Sequence, residues 1–444
     1  MVTESPTSTS NIWGDRLFTI LTILVGISFM AILVLGSYYD QPITQALSFD
    51  IQDGQCDPET QGVGIHCFGD FHYIQRQFSP KLEGYFKENP NNIYTPSGLL
   101  PNLIVSPFES LFDLRISLFV FLLLLAFALT TPAIYLATRT NRPERSSGKF
   151  VFLTVLSQPF IFAIDRGSST GFAMPFVMLY AVKLNRKPNW YATLAIAGAA
   201  AIRPQFALLA IGLLAFGQIK HFLASVLTTL SMIFIPFIFW PGNQRANLGT
   251  WFHNITSYSS GVKTDVAAKY PVNLSIRSVA DHLVIFLKDS ILGWFQNNYV
   301  FISLIVFAAI TCALFACRKT NAKSLVLIVS LSLPCLMPET SFGYYSMFTL
   351  VLASLIFSDA NFFSSTADRN AIRISGPNAI HQWLIISAVA IALAPIPFVF
   401  EVGRNSISLE FFGVIWSFVL LSTVARLIAD NRKFYHSEPN LVRE

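Results

Sequence analysis

Long apolar runs leave this chain few folds to adopt. The first run extends from Leu17 to Gly36 without a charge. That is roughly the 20 residues of helix a bilayer core requires. Eleven more follow, at about 112–137, 150–164, 170–184, 190–202, 204–219, 221–240, 296–317, 322–338, 343–358, 380–400 and 409–428. Charged residues make up only 12% of the 444, about half the share of a soluble domain. That is too little charge to coat a water-soluble enzyme, and the chain is too hydrophobic for disorder. The net charge of +5 is spread out and gives no argument for a nucleic-acid partner. The sequence reads as an all-α, polytopic integral membrane protein with about 12 transmembrane segments.

Leu17–Gly36 reads as a retained span, because no small-residue cleavage site follows it. Several middle runs are too short to cross unaided and suggest broken or half-inserted helices. Lys and Arg cluster in alternate connections, among them Arg139, Arg142, Arg145, Lys183, Arg186, Arg318 and Lys319. By the positive-inside rule the N-terminus (1–16) and the tail (429–444) are cytoplasmic. The expected location is the plasma membrane, with multiple passes. Two long loops, 38–111 and 241–295, then lie outside. They divide the chain into an N-terminal membrane module (17–240, including the first loop) and a C-terminal one (296–428). Cys56 and Cys67 share the first loop and form a candidate disulfide in an oxidising exterior. Free thiols are the alternative. No cysteine or histidine spacing suggests a zinc site.

Charge next to a span is costly and asks for a reason. Asp70 begins the segment Asp70–Phe78, in which Phe71, Ile74 and Phe78 recur at helical spacing. It is either a helix cap or a general base at the membrane edge. Asp165-Arg166-Gly167-Ser168 joins two apolar runs. It is either a tight turn with an Asp165–Arg166 pair or an anion site. Arg203 stands before Pro204 between two apolar stretches, where the proline breaks the helix. Its partner is either a carboxylate such as Asp165 or Asp70, or a ligand phosphate. Trp251 and His253 read as interfacial anchors.

One carboxylate and two guanidinium groups near one membrane face suit transfer of a sugar from a lipid phosphate. Phosphate is already a good leaving group, and arginines can neutralise the charge that grows on it. One carboxylate suffices to take the acceptor proton. No metal or other cofactor is demanded.

These residues also carry a resemblance. Gly69-Asp70-Phe71-His72-Tyr73, Asn92-Ile93-Tyr94-Thr95-Pro96, Asp165-Arg166-Gly167-Ser168, Arg203-Pro204, Pro271-Val272-Asn273 and Gly343-Tyr344-Tyr345 occur in this order. Together they resemble the polyprenyl-phosphate-dependent glycosyltransferases of the membrane GT-C class, nearest to family 87. That family includes mannosyltransferases and an arabinofuranosyltransferase. The resemblance implies a GT-C-like fold, with Asp70 as the catalytic base and Arg166 and Arg203 near the donor phosphate. His72, Asp165, Asn273, Glu339, Tyr344 and Tyr345 become candidate substrate contacts. It implies a polyprenyl-phosphate-linked sugar donor, of the mannose or arabinofuranose class. The acceptor would be a cell-envelope glycolipid or glycan, and membrane lipids would surround the chain. The later spans are expected to form the donor-lipid groove. Gly343-Tyr344-Tyr345 replaces the Trp-containing turn of the mannosyltransferase-like members and draws the chain toward the arabinofuranosyltransferase-like branch. The rival reading is a lipid or polyprenyl-phosphate-sugar transporter. It predicts polar residues on both sides of the midplane, whereas here they crowd one face.

Overall fold

The computed structural model describes residues 12–38, 68–78, 82, 85–88, 93–139, 143–186, 189–255, 294, 298–316, 322–338, 341, 343–359, 362–363, 377–400, 403–406 and 411–437. Among them the fold is mainly helical, and the apolar runs of the sequence fall on helix except at the end of the run 380–400. The helices in chain order are α1 (Ile12–Tyr38), α2 (Gly69–Phe78), α3 (Tyr85–Glu88), α4 (Leu100–Leu111), α5 (Leu114–Leu129), α6 (Thr131–Arg139), α7 (Pro143–Val155) and α8 (Gln158–Arg166). They continue as α9 (Met174–Arg186), α10 (Trp190–Ile202), α11 (Ile211–Ala215), α12 (Ile219–Phe239), α13 (Tyr299–Ala316), α14 (Lys323–Leu336), α15 (Phe348–Ser358), α16 (Pro377–Leu393) and α17 (Phe412–Ser437). Three 3-10 turns (Ser169–Ala173, Pro204–Ala210 and Gly343–Met347) break the pattern.

Among the described residues, three helices are long and apolar enough to cross a membrane, or five if each of two bent pairs counts as one span. The bends are 44° between α5 and α6 and 51° between α7 and α8. The second lies at the short run 150–164, where a break was expected; the first interrupts the longer run 112–137. The run expected at 380–400 departs from a single helix. Pro395 and Pro397 cannot donate to a helical ladder, so α16 stops at Leu393. An antiparallel hairpin follows, pairing Pro397–Phe400 with Gly403–Ser406.

The outside of the bundle is apolar. Val34 on α1, Phe127 on α5 and Phe239 on α12 are 63%, 69% and 81% exposed. Bands of this kind need lipid rather than water around them. Small residues sit at the centre. Ala192, Ala195, Ala199 and Ala200 of α10 are buried, which lets α9 and α12 pack closely on either side. α10 also touches the turns at 169–173 and 204–210, so the most tightly packed helix ends at the polar residues described next.

Two indoles hold the segment before α4 in place. Trp240 Nε1 donates to the Leu82 carbonyl at 3.0 Å, and Trp251 Nε1 to that of Ile93 at 3.3 Å. Trp251 is buried. The expectation of an interfacial anchor is therefore corrected: a buried indole N–H needs a partner, and this one clamps the chain just before Tyr94.

Candidate active site

The site forms where three helix ends meet. α8 ends in a Schellman motif: the Ser168 N–H bonds the Ala163 carbonyl and the Gly167 N–H bonds that of Ile164, both at 3.0 Å. Gly167 takes the left-handed conformation this requires, with φ +59°. Glycine is needed there a second time, because a Cβ would stand 2.9 Å from the Phe71 Cβ. That close approach seats the start of α2 against the end of α8. The Phe68 N–H also bonds the Asp165 carbonyl at 3.0 Å.

Asp70 and Arg166 are thereby brought face to face. Arg166 donates from one Nη to Asp70 Oδ1 at 2.8 Å, and the two side chains are 14% and 11% exposed. Both suit their helix ends, a carboxylate in the first turn of α2 and a cation in the last turn of α8. Two sequence readings are corrected here. Asp70 is the second residue of α2 rather than its cap, and Arg166 pairs with Asp70 across 96 positions rather than closing a local turn with Asp165. Asp70 Oδ2 has no hydrogen-bond partner among the described residues.

Gly167→Ala tests this junction. Left-handed backbone and a methyl group against Phe71 both oppose it, together about 1–3 kcal/mol. The expected result is a thermal midpoint several degrees lower and at least tenfold less turnover, since the ion pair depends on the approach. Unchanged turnover would separate the junction from function.

Arg203 is the second cation. Pro204 forces it out of helical geometry, at φ −143° and ψ 115°. Its side chain is 4% exposed. Nε donates to Thr170 Oγ1 at 2.9 Å, and one Nη donates to the Tyr94 hydroxyl. The guanidinium carbon lies 3.7 Å from the Tyr94 ring centroid, within cation–π range. Among the described residues its contacts are a hydroxyl, a phenol and an aromatic face. Tyr94 and Thr170 were not singled out as site residues from the sequence. The signal available was the Tyr-Thr-Pro-Ser-Gly stretch, whose role is to dock on the end of α10. Thr95 Oγ1 donates to the Ala201 carbonyl at 3.1 Å. Gly98 lies so close to the Ile202 carbonyl that a Cβ would stand 2.7 Å away. Burial pushes the Tyr94 phenol well above the ordinary tyrosine range, against the lowering effect of Arg203. The hydroxyl therefore keeps its proton while it accepts from Arg203.

Tyr345 is buried beside this group, its ring 5.9 Å from that of Phe206. The turn that carries it packs against α8 and the turn at 169–173. His72 lies two residues beyond Asp70, and its ring is 5.7 Å from that of Phe71. Asn273, Glu339, Cys56 and Cys67 lie outside the described residues, as does the side chain of Tyr344.

The family model for glycosyltransferase family 87 matches residues 92–338, more than half of the chain. The chain belongs to glycosyltransferase family 87. It is a membrane glycosyltransferase. The matched segment carries Tyr94, Arg166, Thr170 and Arg203, while Asp70 precedes it. No curated protein and no solved structure matches the chain.

Proposed function

We propose that this family 87 enzyme transfers a sugar from a polyprenyl-phosphate donor to a hydroxyl of a cell-envelope glycolipid or glycan. The sugar is of the mannose or arabinofuranose class. The observation that carries the reading is the Asp70–Arg166 pair standing beside the Arg203–Tyr94–Thr170 group. A base and a phosphate-binding cation are what this transfer needs. In this reading the 12 apolar runs are spans, the two long loops are extracytoplasmic, and the site faces the outside of the plasma membrane.

The acceptor hydroxyl gives its proton to Asp70 as its oxygen attacks the anomeric carbon. The bond from that carbon to the phosphate oxygen breaks, and polyprenyl phosphate leaves with the electron pair. Arg203 and the Tyr94 hydroxyl hold the phosphate. Arg166 serves both ends of the step. Before transfer it balances the ionised Asp70. Once Asp70 holds the proton, the charge of Arg166 is no longer balanced there and stabilises the departing phosphate. His72, Asp165 and Tyr345, with Asn273, Glu339 and Tyr344, are proposed substrate contacts.

An apolar cavity of about 340 Å³ favours a lipid-linked donor. It is lined by Pro96, Leu103, Ile235, Pro236, Phe239 and Trp240. Pro96 is two residues from Tyr94, so the cavity adjoins the proposed phosphate site. In this reading the lipid groove runs against α4 and α12, and a groove among the later spans is the alternative. Ile235 is 48% exposed, and Ile235→Trp fills the cavity from its lipid side. The expected result is a KM about tenfold higher for long-chain donors, with little change for donors of two or three isoprene units. Equal effects on both would remove the cavity from donor binding.

The reading as a whole is tested by transfer in nanodiscs from a panel of polyprenyl-phosphate sugars, with linkage analysis of the product. Turnover with a nucleotide sugar and none with any lipid-linked donor would overturn it. A transporter would move donor across a sealed membrane without forming product.

A further inference from the structure

Several side chains on the elements around the site are buried without hydrogen-bond partners among the described residues. Gln75 on α2 and Asn102 on α4 are both 0% exposed, and neither atom of either amide group is paired. Asp70 Oδ2 is in the same condition. Leaving such a group unpaired in a folded interior is destabilising. A carboxamide has two donors and an acceptor oxygen to satisfy. Three residues beyond Asn102, by contrast, the Val105 carbonyl accepts from Ser117 Oγ at 3.0 Å.

The unpaired groups lie on elements that meet. α4 packs against α2, which carries Asp70, and against the turn at 169–173, which carries Thr170. Asn102 is therefore on the helix that touches both the proposed base and the proposed phosphate site. In a direct displacement the transferred sugar occupies the space between those two. Each sugar hydroxyl donates and accepts one hydrogen bond or more, which is what a carboxamide offers in return.

We propose that Asn102 and Gln75 are the specificity-determining residues for the donor sugar, binding its ring hydroxyls between Asp70 and Arg203. The proposal rests on the lipid-phosphate-sugar reading given above. It explains why a chain this apolar keeps two unpaired amides in its interior. Their stability cost is offset only when the sugar is bound.

The test compares wild type with Asn102→Leu and Gln75→Met, apolar side chains of similar size. Three readouts are taken: kcat/KM with the preferred donor, kcat/KM with donors lacking one ring hydroxyl, and the thermal midpoint without substrate. Wild type should discriminate against at least one deoxy donor by about 10- to 100-fold. One of the variants should lose that discrimination, with kcat/KM for the parent donor falling by a similar factor. The midpoint should hold or rise, because an unpaired polar group has been removed. Binding of sugar-free polyprenyl phosphate should not change. Gln158 supplies the control. It is also buried and unpaired, but it opens α8, about 12 Å from Arg166 at 1.5 Å per residue. Gln158→Met should leave the discrimination intact. The proposal is overturned if both site variants keep wild-type discrimination, if the midpoint drops by several degrees, or if Gln158→Met shifts selectivity equally. Failure of wild type to use any lipid-linked donor would instead overturn the reading beneath it.

Discussion

Asp70→Asn is expected to lower turnover by about two to four orders of magnitude, the range for loss of a positioned general base. Donor affinity should stay within about threefold of wild type. The substitution is informative because it changes little else. An asparagine oxygen still accepts from Arg166, so the contact between α2 and α8 survives. The left-handed turn at Gly167 and the Phe68–Asp165 bond do not involve the carboxylate. What disappears is the ability to take a proton. The charge balance shifts as well: Arg166 is now unbalanced before the reaction rather than after the proton moves. If Arg166 also acts on the phosphate, donor binding should tighten slightly while turnover collapses. That split between binding and chemistry distinguishes a base from a merely structural carboxylate. Single-turnover transfer in nanodiscs beside equilibrium binding of the donor measures both. Turnover near wild type would remove Asp70 from the role.

Much of this arrangement was legible in the sequence, for reasons that differ residue by residue. The break at Arg203 followed from Pro204, because the clash between a proline ring and the preceding residue is local. The bend near 156 followed from an apolar run too short for a membrane, whereas the one near 130 interrupts a run long enough to span. Asp70, Arg166 and Arg203 were visible because charge is conspicuous in an apolar chain. Which of them would pair was not visible. Arg166 and Asp70 are 96 positions apart, and their contact depends on a glycine that admits Phe71. The nearer partner, Asp165, is adjacent in sequence and was the natural guess. Tyr94 and Thr170 carry no charge and resemble ordinary loop residues. Their importance arises only when α10 stops where it does and the segment before α4 folds onto its end. Gln75 and Asn102 were invisible for the same reason: an amide is remarkable only once it is buried and unpaired. The hairpin after α16 was missed because its apolar strand continues the hydropathy of the helix before it.

Arg203→Met is expected to reduce kcat/KM by about 10²- to 10³-fold, the scale of losing one preorganised donor to a charge that develops in the transition state. Its position makes it a stringent test. Arg203 is 4% exposed, so solvent does little to screen its charge. The neighbouring groups confine it: Thr170 accepts from Nε, Tyr94 accepts from an Nη and lies under the guanidinium plane. Such confinement costs nothing further when the phosphate leaves, which is what makes the charge effective. Methionine fills a similar volume without a charge, and replacing a buried ionic group by an apolar one is often neutral for stability. The thermal midpoint should therefore move by only a few degrees. Arg203→Lys should fall between the two. It keeps a charge that can reach the phosphate. It loses the Nε bond to Thr170 and the flat contact with Tyr94, which a compact ammonium cannot reproduce. Tyr94→Phe should cost less, about tenfold, because it removes one hydroxyl and keeps both the cation and the ring beneath it. The order Met, Lys, Phe in decreasing severity is the signature of a positioned charge. If Arg203 serves only packing, methionine should be the mildest of the three, and that order would overturn the assignment.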